Sequence, residues 1–102
     1  MSCLPLSEQL ALLQGPFRHL LREILVQNYA HSPRQNLTQW LQMAQPMQDE
    51  HGEPCHFVGG QYYVYVLEEP EYLAGEFGKN LNETVIEVPG FDPRLFIAVV
   101  AV

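Results

Sequence analysis

The most constraining feature of this chain is its last stretch, Leu95-Phe96-Ile97-Ala98-Val99-Val100-Ala101-Val102, an unbroken run of eight apolar residues. A strand that alternates apolar and polar residues has one wet face, whereas a strand apolar at every position needs cover on both. The run is therefore read as the central strand of a sheet, and the question for the rest of the chain is what covers each face.

Upstream, three segments have helical periodicity. Leu6 to Gln14 places Leu6, Leu10 and Leu13 on one side, with Ser7 as a candidate N-cap. Gly15-Pro16 interrupts it, and proline suits the first position of a new helix. There Phe17, Leu20, Leu21, Ile24 and Leu25 form an amphipathic stripe. Ser32-Pro33-Arg34-Gln35 combines an N-cap serine, a first-position proline and a glutamine three residues after the cap, so it predicts a third helix start. Leu37, Trp40, Leu41 and Ala44 follow on one face, and Pro46 ends that helix. Met47 to Pro54 is polar and is read as the hinge into a β half.

Cys55 to Val58, Gly59-Gly60 and Gln61 to Leu67 read as a hairpin with a two-residue glycine turn. Tyr62, Val64 and Val66 share one face of its second strand; Tyr63, Tyr65 and Leu67 share the other. Tyr72 to Asn82 reads as a loop and Pro89 to Pro93 as a turn. Between them, Thr84 to Val88 alternates in the manner of an edge strand. The expected fold is α+β, with about three N-terminal helices on one face of a four-stranded, mainly antiparallel sheet. Strands 61–67 and 95–102 should be interior, and 55–58 and 84–88 edges. At 102 residues the chain reads as one domain, residues 1–46 its helical half and 54–102 its β half.

Composition narrows the functional classes. The formal charge is −7, and ten of the twelve acids lie in residues 49–102, against Lys79 and Arg94. Affinity for nucleic acid is built from clustered lysine and arginine, so no nucleic-acid partner is expected. No apolar run is long enough to span a membrane, and the opening residues lack the pattern of a signal peptide. A cytoplasmic protein with two free thiols, Cys3 and Cys55, is the expectation.

His51, Cys55 and His56 are of metal-ligating type, but Cys55 and His56 are adjacent on a predicted strand and point to opposite faces. They are weak candidates for a metal, and no cofactor is expected. No acid, base and nucleophile constellation is apparent, so the chain is not read as an enzyme. Glu68, Glu69 and Glu71 around Pro70 read as an acidic strand end. The tyrosines carry the functional expectation, because tyrosine joins a flat apolar body to a water-tolerant hydroxyl and suits interfaces. Helices of this total length cover one sheet face. The other should present Tyr62 or Tyr63, with Tyr65, Leu67, Glu68 and Glu69, to an unidentified protein partner or to a second copy in a homodimer. The leading reading is a small protein–protein interaction or regulatory protein: an adaptor, chaperone-like factor or inhibitor. The alternative is a small-ligand or metal-binding domain with a pocket between helices and sheet.

Overall fold

The computed structural model describes residues 3–30, 36–68, 83–87 and 92–102. They form α1 (Leu6–Gln14), α2 (Arg18–Tyr29), α3 (Leu37–Gln42), β1 (Gln45–Gln48), β2 (Pro54–Val58), β3 (Tyr62–Glu68), β4 (Glu83–Glu87) and β5 (Leu95–Ala101). The strands make one antiparallel sheet in the order β1-β2-β3-β5-β4. The fold is α+β, with the helices first in the chain. No described helix is long and apolar enough to cross a membrane.

α1 starts directly after Pro5 with no side-chain cap, so Ser7, expected as its N-cap, lies inside the helix. At the end of α1, Gly15 N–H reaches the carbonyls of Ala11 and Leu12. Pro16 has no N–H to continue the ladder. Phe17, expected inside the second helix, instead sits in the turn before it and is fully buried there. From α2, Leu21, Ile24 and Leu25 enter the core. The helix closes on Ala30, whose φ of 51° is left-handed and whose N–H donates to Leu25 O. A helix end of this kind favours glycine, since a Cβ in left-handed backbone costs roughly 1–2 kcal/mol. Ala30→Gly should therefore stabilise the chain by about 0.5–1 kcal/mol after glycine's extra unfolded-state entropy is subtracted. A raised urea midpoint with an unchanged slope is the expected reading. The serine-proline cap expected at residues 32–35 and the loop expected at 72–82 lie outside the described residues.

The sheet corrects the expected strand count from four to five. Gln45-Pro46-Met47-Gln48, read as helix end and hinge, is a strand paired with β2 through Gln45↔Phe57 and Met47↔Cys55. Its proline and glutamines hide it from a propensity argument, yet an edge strand is where proline is tolerated. Consequently β2, expected at an edge, is interior. β4 is the opposite edge, as its alternation predicts. Val58 pairs with Tyr62, so the hairpin connection has three residues, Gly59, Gly60 and Gln61, rather than the two expected. Gly59 and Gly60 take left-handed φ of 65° and 69°, and Gln61 N–H donates to Val58 O at 3.3 Å. At the start of β5, Asp92 Oδ1 accepts the Arg94 N–H at 2.9 Å.

Both faces of β5 are covered. On one, Leu95, Ile97 and Val99 join Val58, Tyr62, Val64 and Val66 against Leu13, Phe17, Leu21, Ile24, Leu25, Leu37 and Leu41 from the helical half. Tyr29 at the end of α2 donates its hydroxyl to Val99 O at 2.8 Å, and its ring lies 5.3 Å from that of Tyr62. On the other face Phe96 and Ala98 pack with Cys55, Tyr65 and Leu67, flanked by Cys3, Met47, Tyr63, Val85 and Val100. The N-terminus contributes there directly: Cys3 bridges to Leu67, and Leu4 N–H donates to Val66 O at 3.0 Å. This two-residue contact fills the edge of β3 beyond the end of its pairing with β2.

Candidate functional site

Strand register arranges the second sheet face in rows. One row runs Gln45, Phe57, Tyr63, Val100 and Glu83, partners in succession across all five strands. The next carries Met47 and Cys55 from β1 and β2, and Tyr65, Ala98 and Val85 from β3, β5 and β4. In the row beyond, Leu67 pairs with Phe96 and Phe96 with Glu87. Burial rises along this direction. Leu67 is 0 % and Phe96 5 % exposed, whereas Phe57, Tyr63, Met47 and Val100 are only half-buried. The open part of the second face is thus its first row.

A concavity of about 760 Å³ lies over that row, lined by Met47, Tyr63, Tyr65 and Val100 and rimmed by Asp49, Glu53 and Glu83, with His51 beside them. The β1–β2 turn that carries most of the rim is held by Asp49. Its Oδ1 accepts the N–H groups of His51 at 2.8 Å and Glu53 at 2.9 Å. Its Oδ2 accepts the Tyr65 hydroxyl at 3.0 Å. Asp at the first position with Gly52 at the fourth, φ 81°, is the composition of a type I turn followed by a left-handed residue. That four-residue spacing was the available signal for this turn and for β1. Each side of the turn is also tied by backbone, Asp49 N–H to Glu53 O and Gly52 N–H to Asp49 O, both at 3.0 Å.

At the edge of the same face the rings of Phe57 and Tyr63 touch, centroids 4.9 Å apart and tilted by 39°. Beyond Phe57 a second concavity is lined by Trp40, Met43, Gln45, Gly59 and Gly60. Met43 is 69 % exposed there.

The residues singled out from sequence divide between environments. Tyr63 is on the open row. Tyr65 lies at the floor, 4 % exposed, so it shapes the site without presenting a free surface. Leu67 is wholly buried beside Cys3, and Glu68 is exposed at the end of β3. Glu69 lies outside the described residues. Tyr62 faces the helices, 5 % exposed, and does not join Tyr63 and Tyr65. Phe57 and Glu83 enter the site through strand register alone, and Asp49 through the β1–β2 turn. The space between helices and sheet, where the alternative reading placed a ligand, is filled by core side chains such as Phe17, Leu21 and Ile24.

The candidate metal ligands are separated. His51 is exposed on the turn, 3.4 Å from Glu50. Cys55 is buried in the cluster of the second face, while His56 is registered with Val64, a residue of the helix-covered cluster. Among the described residues no three such side chains group to hold a metal ion. Burial pushes the Cys55 thiol up to about 11, although the Tyr65 hydroxyl hydrogen-bonded to it pulls the other way. A thiol so held is not a nucleophile at neutral pH.

Burial also lowers the pKa of His56 below the ordinary 6.5. The side chain is 2 % exposed, and its Nδ1 has no hydrogen-bond partner among the described residues. The unfolded chain therefore binds this proton at a higher pH than the folded chain. The stability contribution is complete above pH 6.5 and is lost as pH falls from there toward the lowered folded value. Wild type should lose more urea midpoint between pH 7.5 and pH 5.0 than His56→Gln. Equal losses would show that His56 titrates alike in both states.

Compared with known protein families, curated proteins and solved structures, the chain matches none.

Proposed function

We propose that this chain is a small interaction protein of the cytoplasm that acts by docking another protein on the open row of its second sheet face. The observation that supports this is the Phe57–Tyr63 ring pair, partly exposed and continuous with Met47 and Val100. Among the described residues the cluster on that face includes no helical side chain. Taking a large apolar side chain from fully exposed to fully buried is worth roughly 1.5–3 kcal/mol. Covering what Phe57 and Tyr63 still expose contributes a fraction of that each, before the entropy of association is subtracted. Two such rings with flanking aliphatic groups suit a regulatory or adaptor-type contact of moderate affinity. The described residues offer no activated nucleophile to set beside this surface.

A photo-crosslinking residue placed at position 63 tests the reading in cells that make the protein natively, with the same residue at exposed Gln27 of α2 as control. Discrete adducts from position 63 and none of the same size from position 27 are expected. Absence of adducts at 63, or identical adducts at both, would sink the proposal. Tyr65 is unsuitable for such a test because it is buried and bonded to Asp49.

A further inference from the structure

We infer that the partner docks through a basic, extended segment, with an arginine side chain seated in the concavity over Tyr63 and Tyr65 and an apolar side chain in the neighbouring one at Trp40. The inference rests on the docking reading above and adds the chemistry of what is docked.

Charge is the first support. The concavity is lined by the carboxylates of Asp49, Glu50, Glu53 and Glu83, and none of its described lining residues is lysine or arginine. Arg18 instead bonds Thr38 on the helical side, and Arg94 is paired with Asp92 at 3.2 Å. The field inside the rim is therefore negative and favours a cation. The floor agrees with the rim. The half-buried Tyr63 ring presents a negative π face, over which a guanidinium stacks while its fork of donors reaches carboxylates at the edge. A strongly hydrated ammonium uses this combination less fully.

Shape then separates a protein segment from a small free cation. About 760 Å³ is within the roughly 300–1,000 Å³ of pockets that take a whole small molecule, so a single cationic group leaves much of it empty. The concavity also does not end at Tyr63, because the touching Phe57 ring opens onto the second concavity of Trp40 and Met43. A ligand spanning the ring pair meets an acidic, aromatic pocket on one side and, on the other, the Trp40 and Met43 side chains set among Asn36, Gln39 and Gln45. An extended peptide with a cationic and an apolar side chain a few residues apart matches both; a polyamine fills only the first. A second copy of this chain is disfavoured, since a two-fold contact would oppose the acidic rim to itself in a chain of net charge −7.

The test is selection of a displayed random peptide library on the full chain, followed by titration of synthetic winners. The expected peptides carry arginine with an apolar residue nearby. Their affinity should fall at least tenfold on replacing that arginine by citrulline, on Tyr63→Ser, and on the paired Glu50→Gln and Glu83→Gln exchange, and should weaken steadily with salt. Circular dichroism establishes that each variant is folded. Peptides that depend on Tyr63 but are neutral or acidic would overturn the basic-segment inference and leave the docking surface standing. Peptides indifferent to Tyr63, or no enrichment at all, would overturn both. Binding of spermidine at the same site without any arginine peptide would overturn the inference in favour of a small cation. A dilution-dependent dimer abolished by Glu83→Lys would overturn it in favour of self-association.

Discussion

Gly59→Ala is expected to destabilise the chain by about 2–4 kcal/mol, whereas Gly60→Ala at the next residue should cost only about 1 kcal/mol. The two glycines share nearly the same backbone, φ 65° and 69°, so the left-handed penalty for a Cβ is common to both. Their surroundings differ. A Cβ at Gly60 meets nothing within 4 Å, but one at Gly59 would lie 3.0–3.2 Å from three atoms of the Trp40 ring. Those are indole carbons in a half-buried side chain rather than the free end of a flexible one, so the ring must shift as a whole. The excess at Gly59 is therefore the cost of displacing Trp40 from the hairpin, and a double-mutant cycle isolates it. In a Trp40→Ala background the cost of Gly59→Ala should fall to that of Gly60→Ala. Chemical denaturation of the four proteins measures both quantities. The same contact has a functional side, since Trp40 and Phe57 line one concavity beside this turn. Displacing the indole should weaken any ligand that reaches across the Phe57–Tyr63 pair. Equal costs at the two glycines would mean that Trp40 is not seated on the turn.

The parts of the fold that were legible in sequence are those where one residue pattern admits a single environment. Eight apolar residues ending the chain required cover on both faces, and β5 has it, with Ile97 and Val99 under the helices and Phe96 and Ala98 on the second face. The stripe from Leu21 to Leu25 and the paired glycines at 59 and 60 were equally direct. β1 was hidden because Gln45-Pro46-Met47-Gln48 has neither apolar alternation nor β-branched residues. What makes it a strand is its turn chemistry and its partner, and both are tertiary information until the hairpin is seen. The choice of sheet face was hidden for a different reason. β3 carries tyrosine and aliphatic residues on both sides, so burial alone cannot orient it. The partners of the two tyrosines distinguish the sides: the Tyr62 ring meets the tilted ring of Tyr29 at the end of α2, while the Tyr65 hydroxyl donates to Asp49 on the other face. The candidate site was half legible on the same account. Tyr63 followed from composition and alternation, but Phe57 and Glu83 join it only once the register places four strands side by side.

Asp49→Ala should be the most damaging single change at the site, with an expected loss of about 3 kcal/mol, while Asp49→Asn should lose about 1 kcal/mol. One half-buried carboxylate carries three hydrogen bonds, two to backbone N–H groups of the β1–β2 turn and one from the Tyr65 hydroxyl. Asparagine keeps the oxygen that accepts from His51 and Glu53, and its amide can donate to the tyrosine oxygen, so most of the geometry survives. Alanine keeps none of it and leaves a buried hydroxyl on β3 with one partner fewer. A Tyr65→Phe exchange in both backgrounds divides the loss. The coupling between positions 49 and 65 should be about 1 kcal/mol, with the remainder belonging to the turn. Amide exchange gives the spatial resolution that denaturation lacks. In Asp49→Ala the His51 and Glu53 amides should exchange faster than those of β5, because the turn opens before the sheet does. This is also the strongest link from stability to function in the chain. The turn carries Glu50 and Glu53 on the rim of the concavity, so a stable but loosened variant should bind a basic peptide less well and discriminate less against its citrulline form. If Asp49→Ala instead matched wild type in both stability and loop exchange, the rim would take its shape from the β1–β2 pairing alone, and Pro46 and Met47, rather than Asp49, would be the residues to alter next.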